Sequence, residues 1–300
     1  MFHVGTCSWT DRTLIEESDF YPKEVQTPAE RLRFYARHFD TVEVDSTFYA
    51  FPSERNAVLW AERTPPGFLF NVKALSLFTF HRTPRKALPL FLLRTLDPAR
   101  QNAEEFSTKD LPESWLAEAL LAFLKTLNPL REKGKLGYVL FQFPPWFRPE
   151  SESFAYLEWL RNHTEGVTVA LEFRHRSWFQ RGTFPRTLKF LRDLNLALVC
   201  VDEPNLPWTV PPFFETTHTV AVVRFHGRNE RAWQERNLPV WEKFRYLYSK
   251  EELREWRDRI LSKLPEKTEV FVMFNNCYRD FAVRNALEMK KLLGEGGAHA

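Results

Sequence analysis

Eight short apolar runs, rich in β-branched and aromatic residues, alternate along the chain with segments of helical periodicity. Such runs are typical of buried strands, and the apolar stripes between them are typical of amphipathic helices. The eight runs are His3–Cys7, Thr41–Asp45, Phe68–Lys73, Gly137–Phe143, Thr168–Phe173, Leu196–Val201, Val220–His226 and Val270–Asn275. Strand and helix alternating eight times within 300 residues predict an α/β fold of the (β/α)8 TIM-barrel type.

The spacing of the runs predicts one domain, residues 1–300, with a helical and loop-like insertion over about residues 81–112, after the third strand. A capping-box pattern at Thr27 predicts a helix that begins at Pro28. The stretch Glu203–Thr217 contains four prolines and is expected to replace a regular sixth helix. A doubly wound open sheet is the alternative fold, but its usual glycine-rich turn is missing from this chain.

The composition excludes few functions. Lys and Arg number 42 against 39 Asp and Glu, and a net charge of +3 does not by itself indicate nucleic-acid binding. The cysteines Cys7, Cys200 and Cys277 lack a CxxC spacing and are expected to be reduced thiols of a cytoplasmic protein. The sequence shows no signal peptide and no apolar run of about 18 residues, so we expect no membrane association. It predicts no oligomeric state.

Polar side chains recur at the carboxyl ends of the predicted strands. In TIM barrels this end, with the loops that follow it, forms the functional site. Side chains two residues apart share one face of a strand. The pairs formed in this way are Glu43 with Asp45, Asn71 with Lys73, Glu172 with Arg174, and Arg224 with His226. We therefore predict that these side chains face one common pocket.

Acid–base chemistry on an anionic ligand that carries a sugar or a base is the first hypothesis for this pocket. The cations predicted to bind the anion are Lys73, Arg174 and Arg224. Glu172 and His226 are predicted to transfer protons, and Glu43 to orient Lys73. A phosphoester or nucleic acid fits this description, which favours a hydrolase-like enzyme. Replacing Arg224 by Ala is expected to abolish ligand binding and to leave the fold intact.

Amides and aromatic rings at the same end are expected to complete the substrate site. The amides predicted to bind polar groups of the substrate are Gln142, Asn275 and Asn276. Trp9, Tyr49 and Trp178 are predicted to offer flat surfaces for sugars or bases.

Three alternatives stay open from the residues alone. Carboxylates and an imidazole at the strand ends are competent ligands for a divalent metal, but no HxH or HExxH spacing exists and nearby cations disfavour it. These residues are Glu43, Asp45, Glu172, Asp202 and His226. A carbohydrate-active enzyme would use Glu43 and Glu172 as a carboxylate pair. A non-catalytic module would bind nucleic acid or protein through a basic surface around Arg82 and Lys86.

The chain resembles the YecE-like proteins, the family called domain of unknown function 72. The segments that carry this resemblance are Val4–Thr6, Phe20–Pro22, Tyr35–Phe39, Val42–Val44, Ser46–Tyr49, Phe70–Lys73, Phe141–Pro145, Glu172–His175, Ser177–Phe179, Val223–Gly227 and Phe274–Asn276. The resemblance implies a TIM-barrel fold and assigns no reaction, because no activity is established for the family. The chain departs from the family pattern at Asp45, where Asn is common.

Overall fold

Eight parallel strands close into a barrel, in the order in which they occur along the chain. The structure, a computed structural model, describes residues 1–235 and 237–296, with Val240, Glu295 and Gly296 described only in their backbone. The strands are β1 (Phe2–Thr6), β2 (Thr41–Val44), β3 (Leu69–Lys73), β4 (Leu136–Gln142), β5 (Val169–Glu172), β6 (Ala197–Asp202), β7 (Val220–Phe225) and β8 (Glu269–Phe274). The predicted TIM-barrel class is confirmed.

Helices surround the barrel. They are α1 (Arg12–Glu16), α2 (Pro28–Tyr35), α3 (Glu54–Glu62), α4 (Leu90–Leu93), α5 (Pro98–Gln101), α6 (Glu113–Lys125), α7 (Asn128–Glu132), α8 (Ser151–Asn162), α9 (Phe184–Asp193), α10 (Glu230–Gln234), α11 (Lys250–Leu261) and α12 (Phe281–Gly296). The capping box is confirmed, because the Thr27 hydroxyl accepts from the Glu30 amide and the Glu30 carboxylate from the Thr27 amide. Residues 203–219, all of them described, form no helix, as their prolines predict. None of the described helices is long and apolar enough to cross a membrane.

The connection from β3 to β4 is the longest in the barrel. It contains α4 to α7 and a short antiparallel pair, Thr83–Pro84 with Glu105–Phe106. Of the predicted domain over residues 1–300, position 236 and residues 297–300 lie outside the described residues.

Strand alternation divides the core into two parts. One face of each strand packs against the helices, as Val72 and Phe225 do. The other face fills the barrel interior, where Leu140, Val222 and Met273 belong to one apolar cluster. Further toward the carboxyl ends the same interior faces present Glu43, Glu172 and Arg224, and this change from apolar to polar layers positions the site.

Candidate functional site

A buried ion network lies in the barrel interior beneath the carboxyl ends of the strands. Arg224 on β7 donates from Nε and Nη2 to Glu43 on β2, over 3.0 and 2.6 Å, and from Nη1 to Glu172 on β5 over 2.5 Å. All three side chains are 0% exposed. Charges buried in this way are stable only when they are paired, and here one guanidinium neutralises two carboxylates.

The contacts in this network bear on three predictions. Arg224 cannot bind a substrate anion, because each of its nitrogens faces Glu43, Glu172 or the Cys7 sulfur and no part of it reaches solvent. Glu43 binds Arg224 and has no ion pair with Lys73, so it does not orient that lysine. A sugar cannot lie between Glu43 and Glu172, because the Arg224 guanidinium already bridges them. This geometry disfavours the carboxylate-pair alternative, which stays a prediction.

His226, on the loop after β7, extends the network upward. Its Nε2 is 3.0 Å from Glu172 Oε1, and its Nδ1 is 2.9 Å from Asn275 Nδ2. Burial and the charge of Arg174 lower the pKa of His226 to about 3, so the ring is neutral at pH 7. Burial alone raises the pKa of Glu172, but Arg224, His226 and Arg174 lower it well below its ordinary value. Both groups are fully buried, so this geometry disfavours their proton transfer to a substrate, which stays a prediction.

Two cations lie above this network, at the open end of the barrel. Lys73, the last residue of β3, places Nζ 4.2 Å from the centre of the Phe48 ring. Within the described part of the chain it forms no ion pair and no hydrogen bond through Nζ, which is rare for a lysine so deeply buried. Burial and the nearby Arg224 lower the pKa of Lys73.

Arg174, two residues beyond β5, is held on one side only. Its Nη1 donates to Glu203 over 2.7 Å and lies 3.2 Å from Glu172. The Trp233 ring covers the guanidinium, with the ring centre 5.3 Å from Cζ. No described residue accepts a hydrogen bond from Nε or Nη2 of Arg174. These two donors are therefore available to an anion, as the sequence predicted for this residue.

His81 completes the open end of the site. Its ring packs edge-on against Phe48 and Trp146, with centres 5.0 and 5.8 Å apart. Its Nδ1 lies 2.9 Å from the Thr79 hydroxyl, which donates its own proton to the Ser76 carbonyl. This network assigns the proton to Nδ1 and leaves Nε2 with a free lone pair. Burial, Lys73 and Arg174 together lower the pKa of His81 to about 4.

Two carboxyl groups beside these cations have raised pKa values. Burial raises the pKa of Asp45 to about 6, although the positive charge of Lys73 opposes this shift. Burial likewise raises the pKa of Glu203 to about 7 against the opposing charge of Arg174. Asp45 is partly exposed and follows β2, whereas Glu203 is buried and also accepts from the Val210 amide. Asp45 thus lies at the open end with a raised pKa, and Glu203 holds Arg174 in place.

The predicted amides and aromatic residues fall into an exposed group and a buried group. Gln142 and Asn275 are partly exposed at the open end, and Tyr49 is exposed beside them. The other three cannot contact a substrate, because Trp9, Trp178 and Asn276 are buried and packed. Trp9 lies edge-on to Trp60 and Phe70. Trp178 stacks on Phe173 with centres 4.0 Å apart. Asn276 donates to Tyr246 and Asn285.

A metal site finds no support among the residues that the structure describes. In that part of the chain no three His, Cys, Asp or Glu side chains are grouped so as to hold a metal ion. Asp202, one of the predicted ligands, instead accepts hydrogen bonds from Arg228, Tyr248 and Trp256.

His81 and Glu203 are site residues that the sequence patterns did not single out. Glu203 directly follows the end of β6, and this position could have identified it as a site residue. His81 belongs to a basic stretch with Arg82, Arg85 and Lys86, but it lies eight residues beyond β3, so the pattern of strand ends did not place it at the pocket. A left-handed turn at Phe80, with φ of 60°, directs the chain back over the barrel. Phe147 and Tyr156 pack against the Phe80 ring and hold this turn.

Comparisons with known proteins agree with the observed fold. A family model described as "Protein of unknown function DUF72" matches residues 3–300. The chain is 33% identical over 298 residues to UPF0759 protein YunF of Bacillus subtilis, covering 98% of this chain and 95% of YunF. UPF0759 protein YecE of Escherichia coli is 25% identical over 258 residues, 80% of this chain and 79% of YecE. The solved structure of a DUF72 family protein from Thermotoga maritima has a TM-score of 0.76 and 33% identity, with 98% and 99% of the two chains covered.

Proposed function

This chain belongs to the DUF72 family of proteins of unknown function, and from its own residues we propose that it is an enzyme that hydrolyses a phosphoester carrying a sugar or a base. The reaction would take place at the open end of the barrel, above the buried ion network. Lys73 and Arg174 would bind the phosphate oxygens, and His81 and Asp45 would move the protons.

The observation that supports this proposal most strongly is the grouping of Lys73, Arg174 and His81. Two cations have hydrogen-bond donors without an acceptor among the described residues, and they lie next to a neutral imidazole. This combination suits an anionic ligand that exchanges a proton during its reaction. A buried cation without an anion is costly, so a bound phosphate would compensate the charge of Lys73 and would accept from the free Nε and Nη2 donors of Arg174. Burial and, after it, the same two cations lower the pKa of this imidazole, so its free Nε2 is a base rather than a third positive charge.

The proposed step uses water as the nucleophile. Nε2 of His81 takes a proton from water while the water oxygen bonds to phosphorus. The bond from phosphorus to the leaving oxygen breaks, and the Asp45 carboxyl gives its proton to that oxygen. An alcohol and a phosphate leave, and His81 and Asp45 then exchange their protons with solvent. Lys73 and Arg174 stabilise the negative charge on the phosphate oxygens throughout.

Hydrolysis of bis(4-nitrophenyl) phosphate, followed by release of 4-nitrophenolate, tests this proposal. His81→Gln removes the base and is expected to lower kcat by a factor of about 10² or more. Lys73→Met removes an anion ligand and is expected to lower kcat/KM by a similar factor of about 10². Lys86→Met, at an exposed position of the same connection, is the matched control and is expected to leave both constants unchanged.

Folding of each variant is checked by its unfolding midpoint. If the wild-type protein releases no 4-nitrophenolate from this diester or from a nucleotide diester, the proposal fails and a binding function replaces it. If His81→Gln retains full activity while Lys73→Met loses it, the anion site stands and the assignment of the base is wrong.

A further inference from the structure

We propose that the loops after β4, β5 and β6 bind a single-stranded nucleic acid, so that the substrate of the site is a phosphodiester within an oligonucleotide strand. The residues of this strip are Trp146, Arg148, His175, Arg176 and Trp208. The proposal rests on the proposed function and names its substrate class.

The strip begins at the open end of the barrel and runs away from it. The Trp146 ring contacts the His81 ring and is 65% exposed. Arg148 follows on the same loop, and its charge helps lower the pKa of His175 on the next loop, after burial, the larger cause. Arg176 donates to the Thr209 carbonyl and to Asn205, and its amide donates to the Trp208 carbonyl. Trp208 is 48% exposed.

The three loops are fastened to one another below the strip. Phe147 stacks on Trp178, with ring centres 5.7 Å apart, and its carbonyl accepts from the Trp178 indole over 2.8 Å. Phe173 also stacks on Trp178, with ring centres 4.0 Å apart. The buried rings therefore join the loops after β4 and β5, and Arg176 joins the loops after β5 and β6. A fixed backbone of this kind lowers the entropy lost when exposed rings bind a ligand.

The charges of these loops suit a polyanion. Residues 143–150, 173–183 and 203–219 contain four arginines and three acidic residues. Glu203 pairs with Arg174 and Glu215 with Lys263, so Glu150 is the one acidic residue left to balance Arg148, Arg176 and Arg181. The net charge of the whole chain is only +3, so the excess of arginine is local. Alternating rings and cations match the alternating bases and phosphates of a single strand. A duplex keeps its base faces stacked and offers nothing to Trp146 or Trp208, and a neutral oligosaccharide offers no anion to Arg148 and Arg176.

Binding of a fluorescein-labelled twelve-nucleotide oligodeoxythymidylate, followed by anisotropy, tests the strip. Trp146→Ala and Trp208→Ala are each expected to weaken binding about tenfold, from the loss of one stacked base. Arg148→Ala is expected to weaken binding and to reduce its dependence on salt concentration. Trp241→Ala, an exposed tryptophan stacked on Tyr278 after a different strand, is the matched control and is expected to change nothing.

Different results would reject nucleic-acid binding by the strip and the proposed hydrolysis. Hydrolysis of bis(4-nitrophenyl) phosphate is expected to be unchanged in Trp208→Ala, because the small diester does not extend to this residue. The assignment of the strip to a single-stranded nucleic acid would be overturned if the wild-type protein bound the strand and its duplex with equal affinity, or if it bound chitohexaose in preference to the strand. It would also be overturned if both tryptophan variants bound the strand as tightly as the wild type. The protein could bind the strand through Trp146 and Trp208 and yet hydrolyse no diester. This result would support nucleic-acid binding by the strip and would reject the proposed function.

Discussion

Arg224 sets the depth to which a ligand can enter the barrel. Its guanidinium and the carboxylates of Glu43 and Glu172 compensate one another, so the interior below His226 is closed to further charges. Above this level Lys73 forms no ion pair with a described residue, and Arg174 uses only Nη1 for Glu203 and Glu172, so both cations keep donors free for a ligand. The buried network thus supports the site by orienting Glu172, which in turn holds Arg174.

The network leads to a prediction about stability rather than about binding. Arg224→Ala leaves two buried carboxylates without a cation and is expected to lower the free energy of unfolding by about 3–5 kcal/mol. Urea unfolding at pH 7 measures this loss. Arg254→Ala, which removes a cation paired on the surface with Glu251, is the control and is expected to cost no more than about 0.5 kcal/mol. A stable Arg224→Ala protein would show that the carboxylates are not charged in the fold.

The pKa values at the open end predict an acidic pH optimum. Because the pKa of His81 is about 4, activity should rise as this base loses its proton, and because the pKa of Asp45 is about 6, activity should fall as this acid loses its own. The plot of kcat/KM against pH for diester hydrolysis is therefore expected to be bell-shaped, with a maximum near the middle of that interval. Asp45→Asn should lower the rate and abolish the alkaline limb. An alkaline limb that persists in this variant would assign the acid to another group.

Residue types at this site were more predictable than their accessibility. The two-residue alternation correctly placed Glu172 and Arg174, and Arg224 and His226, on interior faces. It carries no information on depth, so it did not predict that Glu172, Arg224 and His226 are fully buried. Depth follows from the stagger of neighbouring strands, which places Arg224 between Glu43 and Glu172 and is set by the closed sheet as a whole.

At the scale of elements, the strands and helices were predictable because local patterns define them. All eight apolar runs form barrel strands, and the helix that begins at Pro28 has its predicted cap. Loop shapes were not predictable, because contacts far apart in sequence decide them. The turn at Phe80 depends on Phe147 and Tyr156, and it places His81 over the barrel. Trp178 looked like a ligand contact for the same reason, since its buried partner Phe147 lies 31 residues away.

Trp178 is expected to act through the loops and not through contact with a ligand. Trp178→Ala removes a buried indole and is expected to lower the free energy of unfolding by about 3–5 kcal/mol. Trp178→Phe keeps the stack on Phe173 but loses the hydrogen bond to Phe147, and it should cost about 1–3 kcal/mol. Urea unfolding gives both values. Diester hydrolysis per folded molecule should stay close to wild type in Trp178→Phe, whereas a direct contact would lower it strongly.

At the scale of the whole molecule, the barrel closes where β1 pairs with both β2 and β8. His3 on β1 lies at the amino-terminal end of this closure. Its Nδ1 is 2.7 Å from Asp40, just before β2, and its Nε2 is 2.8 Å from Glu269, at the start of β8. The ring also stacks on Phe271. Only the protonated imidazole can donate to both carboxylates, so closure of the barrel is linked to one proton.

This linkage predicts a specific dependence of stability on pH. Burial lowers the pKa of His3, but the hydrogen bonds and charges of Asp40 and Glu269 raise it more, so that the pKa lies above its ordinary value in the folded protein. The stabilisation by His3 is therefore complete below the unfolded pKa of about 6.5 and is lost as the pH rises through the higher folded value. His81 and His226 have lowered pKa values and act in the opposite direction, since they destabilise the fold at acidic pH. Urea unfolding of the wild type and of His3→Gln, measured between pH 5.5 and 8.5, separates these contributions. The difference between the two curves should be largest at the acidic end and should shrink as the pH rises; a difference that grows with pH would mean that His3 is neutral in the fold.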